Sequence, residues 1–425
     1  MGTIRSRVGL LGSILFVFSL STFSQETLRA CADKIGLNIG SCTFYNAYSS
    51  DQTYSSVLKR DFNTIVAENE MKASSLHPSR GQFTFSRADD MVKFAENNKM
   101  KMRGHVLVWH AQNPSWLQSG SWTRETLLEA MKEHINGVLG HFKGKNKTVF
   151  EWDVVNEAFH NDASKGTLRS SFWKNVIGED FIDSAFAFAH RADPEVLLFY
   201  NDYNTSNITT KSTAIYNKIK KMIDNGIPIH GVGFQSHQTL EEYTPAFIES
   251  LKENFDRFAK LGLKISVTEL DIRITLPTEQ SELEKQADFY HEFLETAIAN
   301  PACRTFMIWG FTDKHSWVPG TFKGTGDALI YSNTYQPKPA YAEMLDVLKN
   351  FKEAGIEQPI NSRMLNNPAL SLVGSNGYSC LFNLQGKKVG SVMVISNPSV
   401  IPRPINLANQ MTFSTATKHG SVQVK

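Results

Sequence analysis

Between residues 25 and 350, short apolar runs alternate with longer stretches whose apolar residues recur at helical spacing, the pattern of repeated β/α units. The spacing predicts strands over Leu37 to Gly40, Thr64 to Ala67, Met102 to Trp109, Val149 to Val155, Val196 to Tyr200, His230 to Gln235, Lys264 to Thr268 and Thr305 to Trp309. Eight strands, each followed by a helical stretch, point to an α/β fold closed as a (β/α)8 TIM barrel. A doubly wound open sheet shows the same alternation, but gives no reason for polar residues to gather at so many strand ends.

That gathering is the most informative part of the pattern. The second strand is followed by Glu68, Asn69 and Lys72; the third carries His105, Trp109 and His110; the fourth ends in Asn156 and Glu157. Asn201, Asp202 and Tyr203 follow the fifth, Gln235 and His237 the sixth, Glu269 and Asp271 the seventh, and Trp309 the eighth. A barrel converges all of them on one rim, where active sites of this fold sit. A single strand-end Glu reads most simply as a cap or an ion-pair partner. Seven strands delivering carboxylate, amide, imidazole or indole groups to one face read as a site.

Both ends of the chain break the alternation. Arg5 and Arg7 precede an apolar run from Val8 to Leu20, too short to span a bilayer comfortably, and Thr22 and Ser24 suit cleavage before Gln25. Residues 1–24 are therefore expected to be a secretory signal peptide, with a buried N-terminal helix or a lipidation site at Cys31 as alternatives. From about Asn350, Gly355, Pro359, Asn361, Asn366, Asn367 and Pro368 mark a linker, and short β-like runs broken by Gly374, Gly377 and Gly386 follow.

Composition narrows the chemistry. The chain has 425 residues, 41% hydrophobic and 20% charged, which excludes a disordered protein, and its 4 Cys exclude a disulfide scaffold. Cys31, Cys42, Cys303 and Cys380 form no CxxC pair, so neither a zinc nor a redox motif is supported, and most read as buried small residues. A net charge of +2 points to no nucleic-acid partner, and after signal removal nothing points to a membrane. That small total hides a split, because residues 351–425 hold seven basic and two acidic residues, which leaves the preceding segment acidic. There is no Gly-rich phosphate loop, no His-Glu-x-x-His and no Gly-x-Ser-x-Gly. What remains are carboxylates among aromatics and amides, the equipment of a glycosidase. Glu side chains reaching inward from the fourth and seventh strands can approach to about 5 Å, the separation for a retaining double displacement.

Several segments then resemble, in order, the signatures of the glycoside hydrolase family 10 xylanases. They are Glu68-Asn69-Glu70-Met71-Lys72, His105 to His110, Trp152 to Ala158, Gln235-Ser236-His237, Thr268 to Asp271, Trp309 to Asp313, and Asn333 to Tyr341. The resemblance spans about residues 26 to 348 and implies a barrel domain over 25–350 that is an endo-1,4-β-xylanase retaining anomeric configuration. It implies Glu269 as nucleophile, which must be ionised, and Glu157 as acid/base, which must hold a proton until the glycosyl ester removes the neighbouring charge. His237 and Asp271 are implied to orient Glu269 and keep it charged. Asn156 is implied to bond the 2-hydroxyl of the sugar being cleaved, Gln235 to bond near the nucleophile, and Tyr203 to stack on the aglycone side.

Glu68, Asn69, Lys72, His105 and Trp109 are implied on the glycone side. Trp309 and Trp317 supply indole faces, and Trp317 with Gln112 is implied to crowd the place of a glucose hydroxymethyl, favouring xylose. Trp152, in mid-strand, reads better as core. The family often has Trp after Lys72, whereas this chain has Ala73, so looser glycone-side packing is expected. The chemistry calls for no metal and no organic cofactor; the expected partner is xylan or a xylo-oligosaccharide, acted on by an exported monomer, secreted or held at the cell surface. Residues 351–371 read as linker and 372–425 as a small β-rich or partly disordered extension. Tyr378 to Val389 resembles the start of a type IX secretion C-terminal sorting domain, although the Gly-x-Tyr expected near its end is missing. Two other classes stay open: a non-catalytic polysaccharide binder on the same barrel, and the same mechanism applied to cellulose or mixed-linkage glucan.

Overall fold

A computed structural model describes residues 26–351 and the backbone of 370–375, 378–383, 388–393, 414–417 and 420–423. The expected signal peptide and nearly all of the expected linker lie outside the described residues. Eight parallel strands form the first unit: β1 (Asn38–Thr43), β2 (Thr64–Ala67), β3 (Lys101–Gly104), β4 (Val149–Asn156), β5 (Leu197–Asp202), β6 (Gly231–Phe234), β7 (Lys264–Thr275) and β8 (Cys303–Ile308). Each pairs with the next, and β8 pairs with β1, so the sheet closes into a barrel. An open sheet would leave two edges unpaired; this one leaves none.

The expected helices follow each strand, ending with Gln280–Ala299 after β7 and Pro339–Asn350 after β8. Their starts are written in the sequence. Thr209 accepts from the Ser212 backbone, and Thr244 caps a helix with Pro245 at its first position. The apolar faces of helices and strands merge in one core between the two layers. Trp152 belongs to it, 1% exposed, and a β-carbon at Gly104 on the neighbouring strand would lie 2.0 Å from its ring, so the indole fits only against glycine. Cys31, Cys42 and Cys303 are buried free thiols.

Two strand boundaries differ from the sequence expectation by more than three residues. β3 ends at Gly104 rather than Trp109. Beyond it, Leu107 and Val108 still donate to the Asp153 and Val154 carbonyls, but β2 has ended on the other side, so the buried apolar run continues without a two-sided ladder. β7 runs on to Thr275, where the short strands His237–Thr239 and Thr325–Gly326 pair with its end. In the second unit, Leu370–Ser375, Tyr378–Asn383 and Lys388–Met393 form an antiparallel meander, and Ser414–Thr417 pairs with Gly420–Gln423.

Candidate active site

Glu269 and Asp271 both lie on β7, and both are buried. Extended backbone sends residues two apart to the same side, and one imidazole bridges them. His237 Nδ1 is 2.8 Å from Asp271 Oδ2, and its Nε2 is 3.3 Å from Glu269 Oε2. Trp317 Nε1 donates to the same Asp271 oxygen at 2.7 Å, which fixes the indole beside the His237 ring at 4.8 Å between centroids. Burial alone would lower the His237 pKa, but the Asp271 charge and the hydrogen bonds to Asp271 and Glu269 push it up to about 10. Burial likewise pushes the Glu269 carboxyl up, and the His237 bond with the fields of His105 and His237 outweighs it, holding Glu269 below its ordinary value. The outcome is a buried carboxylate that stays ionised.

Glu157 is held differently. It follows the last residue of β4 in a left-handed conformation, φ 54°, with its N–H donating to the Asn201 carbonyl. Its Oε1 accepts from Asn156 Nδ2 at 3.1 Å and Gln235 Nε2 at 3.0 Å, both neutral amides. Its Oε2 is 3.7 Å from His110 Nδ1. Burial, reinforced by the Arg169 charge, lowers the His110 pKa to about 4, so at neutral pH the imidazole beside Glu157 carries no charge. Arg169 itself donates to the Glu157 carbonyl at 3.2 Å and to the Tyr203 hydroxyl at 2.7 Å.

Three amides join the two carboxylates. Asn201 Nδ2 donates to Glu269 Oε1 at 2.8 Å and Asn156 Oδ1 at 2.9 Å, while Gln235 donates to Asn156 Oδ1 and Glu157 Oε1. The Thr268 hydroxyl donates to Asn201 Oδ1 at 2.8 Å, fixing the orientation of that side-chain amide. Gly233 on β6 makes the room, since a β-carbon there would fall 2.3 Å from Asn201 Oδ1. Gln235, expected near the nucleophile, thus bonds Asn156 and Glu157. Asn201 stood among the strand-end residues without a role, and the structure makes it the link between the two halves.

Among the residues expected on the glycone side, buried Lys72 donates to Gln112 Oε1 at 2.6 Å and Asn69 Oδ1 at 3.3 Å, with its ammonium 5.0 Å from the centre of the Trp109 ring. Asn69 donates to Glu68 at 2.9 Å. Burial lowers the Lys72 pKa and raises that of Glu68. Ala73 is itself buried, and Ser74 N–H donates to the Gln112 carbonyl behind it. His105 and Trp309 meet edge to face at 5.5 Å, and Trp309 packs with Cys42, Val66 and Met307. His105 is aimed by Asp153 at 2.9 Å, and Asp153 is paired with Arg103, which also bonds Glu151. On the other side, fully buried Lys211 bonds Asp202 at 2.7 Å and sits 4.0 Å from the centre of the Tyr203 ring.

Sequence reasoning passed over Arg103, Glu151 and Asp153. The signal was present: charged residues alternating with period two inside apolar strands, Arg103 and His105 beside Glu151 and Asp153. Arg169 had none, because it comes from a loop without periodicity.

Comparison with known proteins agrees with this geometry. Residues 27–347 match the model of glycosyl hydrolase family 10. Endo-1,4-beta-xylanase B of Thermotoga neapolitana is 41% identical over 341 residues, 79% of this chain and 96% of that protein. The crystal structure of native xylanase 10B from Thermotoga maritima superposes with a TM-score of 0.73 at 43% identity, covering 76% of this chain and 98% of that one. The structure of xylanase 10B from Thermotoga petrophila in complex with xylobiose gives 0.73 at 42% identity, covering 76% and 97%.

Proposed function

Because the chain belongs to glycosyl hydrolase family 10 and is a retaining endo-1,4-β-xylanase, we propose that Glu269 is its nucleophile and Glu157 its acid/base. The observation that carries this assignment is the difference in setting: Glu269 is held by a charged imidazole, Glu157 by neutral amides.

In the first step a Glu269 oxygen attacks the anomeric carbon while the protonated Glu157 gives its proton to the departing glycosidic oxygen. A glycosyl ester forms at Glu269 and the aglycone leaves. Glu157, now ionised, takes a proton from a water that attacks the same carbon, and the ester bond breaks with Glu269 restored. Two inversions give retention. Asn156 spends its carbonyl on Asn201 and Gln235, leaving amide hydrogen to meet a sugar 2-hydroxyl as charge develops at the ring. Lys72, Asn69, Gln112 and Glu68 form a polar set suited to glycone hydroxyls. Trp309 and Trp317 offer apolar walls.

Xylan is the proposed substrate, a reading supported by the relative that holds xylobiose. Reducing-sugar release from xylan and from carboxymethylcellulose tests it: faster release from xylan is expected, and preference for the cellulosic substrate would overturn it. Export through residues 1–24 and action as a monomer belong to the same proposal, checked by sequencing the N-terminus of the mature protein and by light scattering. A sorting role for the C-terminal segment predicts that truncation at 351 leaves xylanase activity but abolishes delivery to the cell surface.

A further inference from the structure

At the end of β5, Asp202 and Lys211 form a fully buried ion pair at 2.7 Å. Such a pair gains little stability over apolar residues of the same size, because desolvation offsets the attraction. Its worth lies in where its hydrogen bonds lead. Asp202 Oδ2 accepts from the Tyr200 hydroxyl at 2.6 Å, and the Tyr200 oxygen accepts at 3.2 Å from the N–H of Ala158, the residue after Glu157. Resting on the assignment of Glu157 as acid/base, we infer that Lys211 is a positioning residue for catalysis: it holds Asp202 as a terminal acceptor, so that Tyr200 fixes the Glu157–Ala158 peptide and with it the direction of the proton-carrying carboxyl.

Three observations carry this. First, the hydrogen bonds all run one way. Asp202 receives Lys211 Nζ and the Tyr203 N–H on Oδ1 and the Tyr200 hydroxyl on Oδ2, three donors on one carboxylate. With its only hydrogen given to Asp202, the Tyr200 oxygen meets Ala158 as an acceptor, which is what an N–H requires. Second, that direction depends on a charged Asp202. Burial pushes its carboxyl up, Lys211 opposes this, and the Glu157 charge adds to the push. Without the ammonium the carboxyl would keep a proton to higher pH, and that proton would compete with the Tyr200 hydrogen for the same gap, freeing the phenol oxygen to turn from Ala158. Third, the peptide held is the one that needs holding. Glu157 is left-handed, at φ 54°. Arg169 Nε donates to its carbonyl, and Tyr200 takes the N–H at the other end of the same peptide plane. The Lys211 backbone N–H also donates to the Ala163 carbonyl at 2.9 Å, in the segment that joins Glu157 to Arg169.

The test uses two xylobiosides that differ in how much their leaving group needs an acid: phenyl β-xylobioside, whose phenoxide departs slowly without a proton, and 2,4-dinitrophenyl β-xylobioside, whose phenolate leaves unaided. The variants are Lys211→Met and Tyr200→Phe, the second removing one oxygen while keeping the ring. In each, kcat/KM on the phenyl substrate should fall roughly tenfold or more, mainly through kcat, while kcat/KM on the dinitrophenyl substrate stays within about twofold of wild type. If Lys211→Met does not fold, Tyr200→Phe decides alone. Equal losses on the two substrates would overturn the inference and leave Lys211 a support for the fold or for the Tyr203 ring. Unchanged kcat/KM on both substrates in Tyr200→Phe would overturn it as well. Equal losses on both in Glu157→Ala would instead refute the acid/base assignment on which the inference rests.

Discussion

Glu269 and Glu157 are the same residue type on one rim, and almost everything else about them differs. Glu269 lies in regular strand, 4% exposed, at the end of an Asp271–His237 chain that keeps it ionised. Glu157 sits on a left-handed residue at the mouth of the barrel among amide donors and an uncharged His110. A nucleophile must be charged whenever it attacks, whereas an acid/base must pass through both protonation states in each cycle. Charged partners suit the first task and would obstruct the second. The difference in partners, more than any property of glutamate, supports the proposed roles.

The comparison is broken most decisively by removing each carboxylate in turn. Glu269→Ala should lower kcat by about 10⁴-fold or more, and azide should restore turnover as the product of inverted configuration; Glu157→Ala on a substrate with an activated leaving group should give the retained azide. Identical azide products from the two variants, read by proton NMR, would exchange or abolish the roles.

Asn201→Ala should come next, because that one amide serves both sides. Losing its bonds to Glu269 and Asn156 should cost roughly 10²-fold in kcat with a smaller change in KM. A change confined to KM would mean that Asn201 only binds substrate.

His237→Asn sharpens the asymmetry through pH. Without the imidazolium, burial of Glu269 goes unopposed, so the acid limb of kcat/KM should move to higher pH while the alkaline limb stays nearly in place. The same group sets a stability window. The His237 pKa is raised on folding, so its stabilisation is complete below an ordinary imidazole value of about 6.5 and is lost as pH rises toward about 10. Melting temperatures of wild type and His237→Asn should therefore converge on the alkaline side. Arg169→Met should have the smallest effect, a several-fold loss in kcat from a less firmly held Glu157 backbone, with the His237-dependent acid limb unmoved.

Much of this was legible in the chain. All eight strands were expected at their places because apolar runs of this length, regularly interrupted, have few other foldings. The β3 boundary was misjudged because Val106 to Val108 is buried whether or not a ladder continues, and burial is what periodicity reports. At the site, the residues with side-chain chemistry of their own stood out. Those acting through others did not: Asn201 on a strand looks like any polar strand-end residue, Gly233 like any glycine, and only contact shows that one makes room for the other.

The left-handed backbone at Glu157 has a consequence for anyone seeking a sturdier protein. A non-glycine residue there costs on the order of 1 kcal/mol in conformational energy, so a search that scores only melting temperature should drift toward Gly or Asn at position 157. The gain would be real and the resulting protein inert, which makes this position a measure of how far selection has held stability below its maximum to keep an acid where a sugar must meet it.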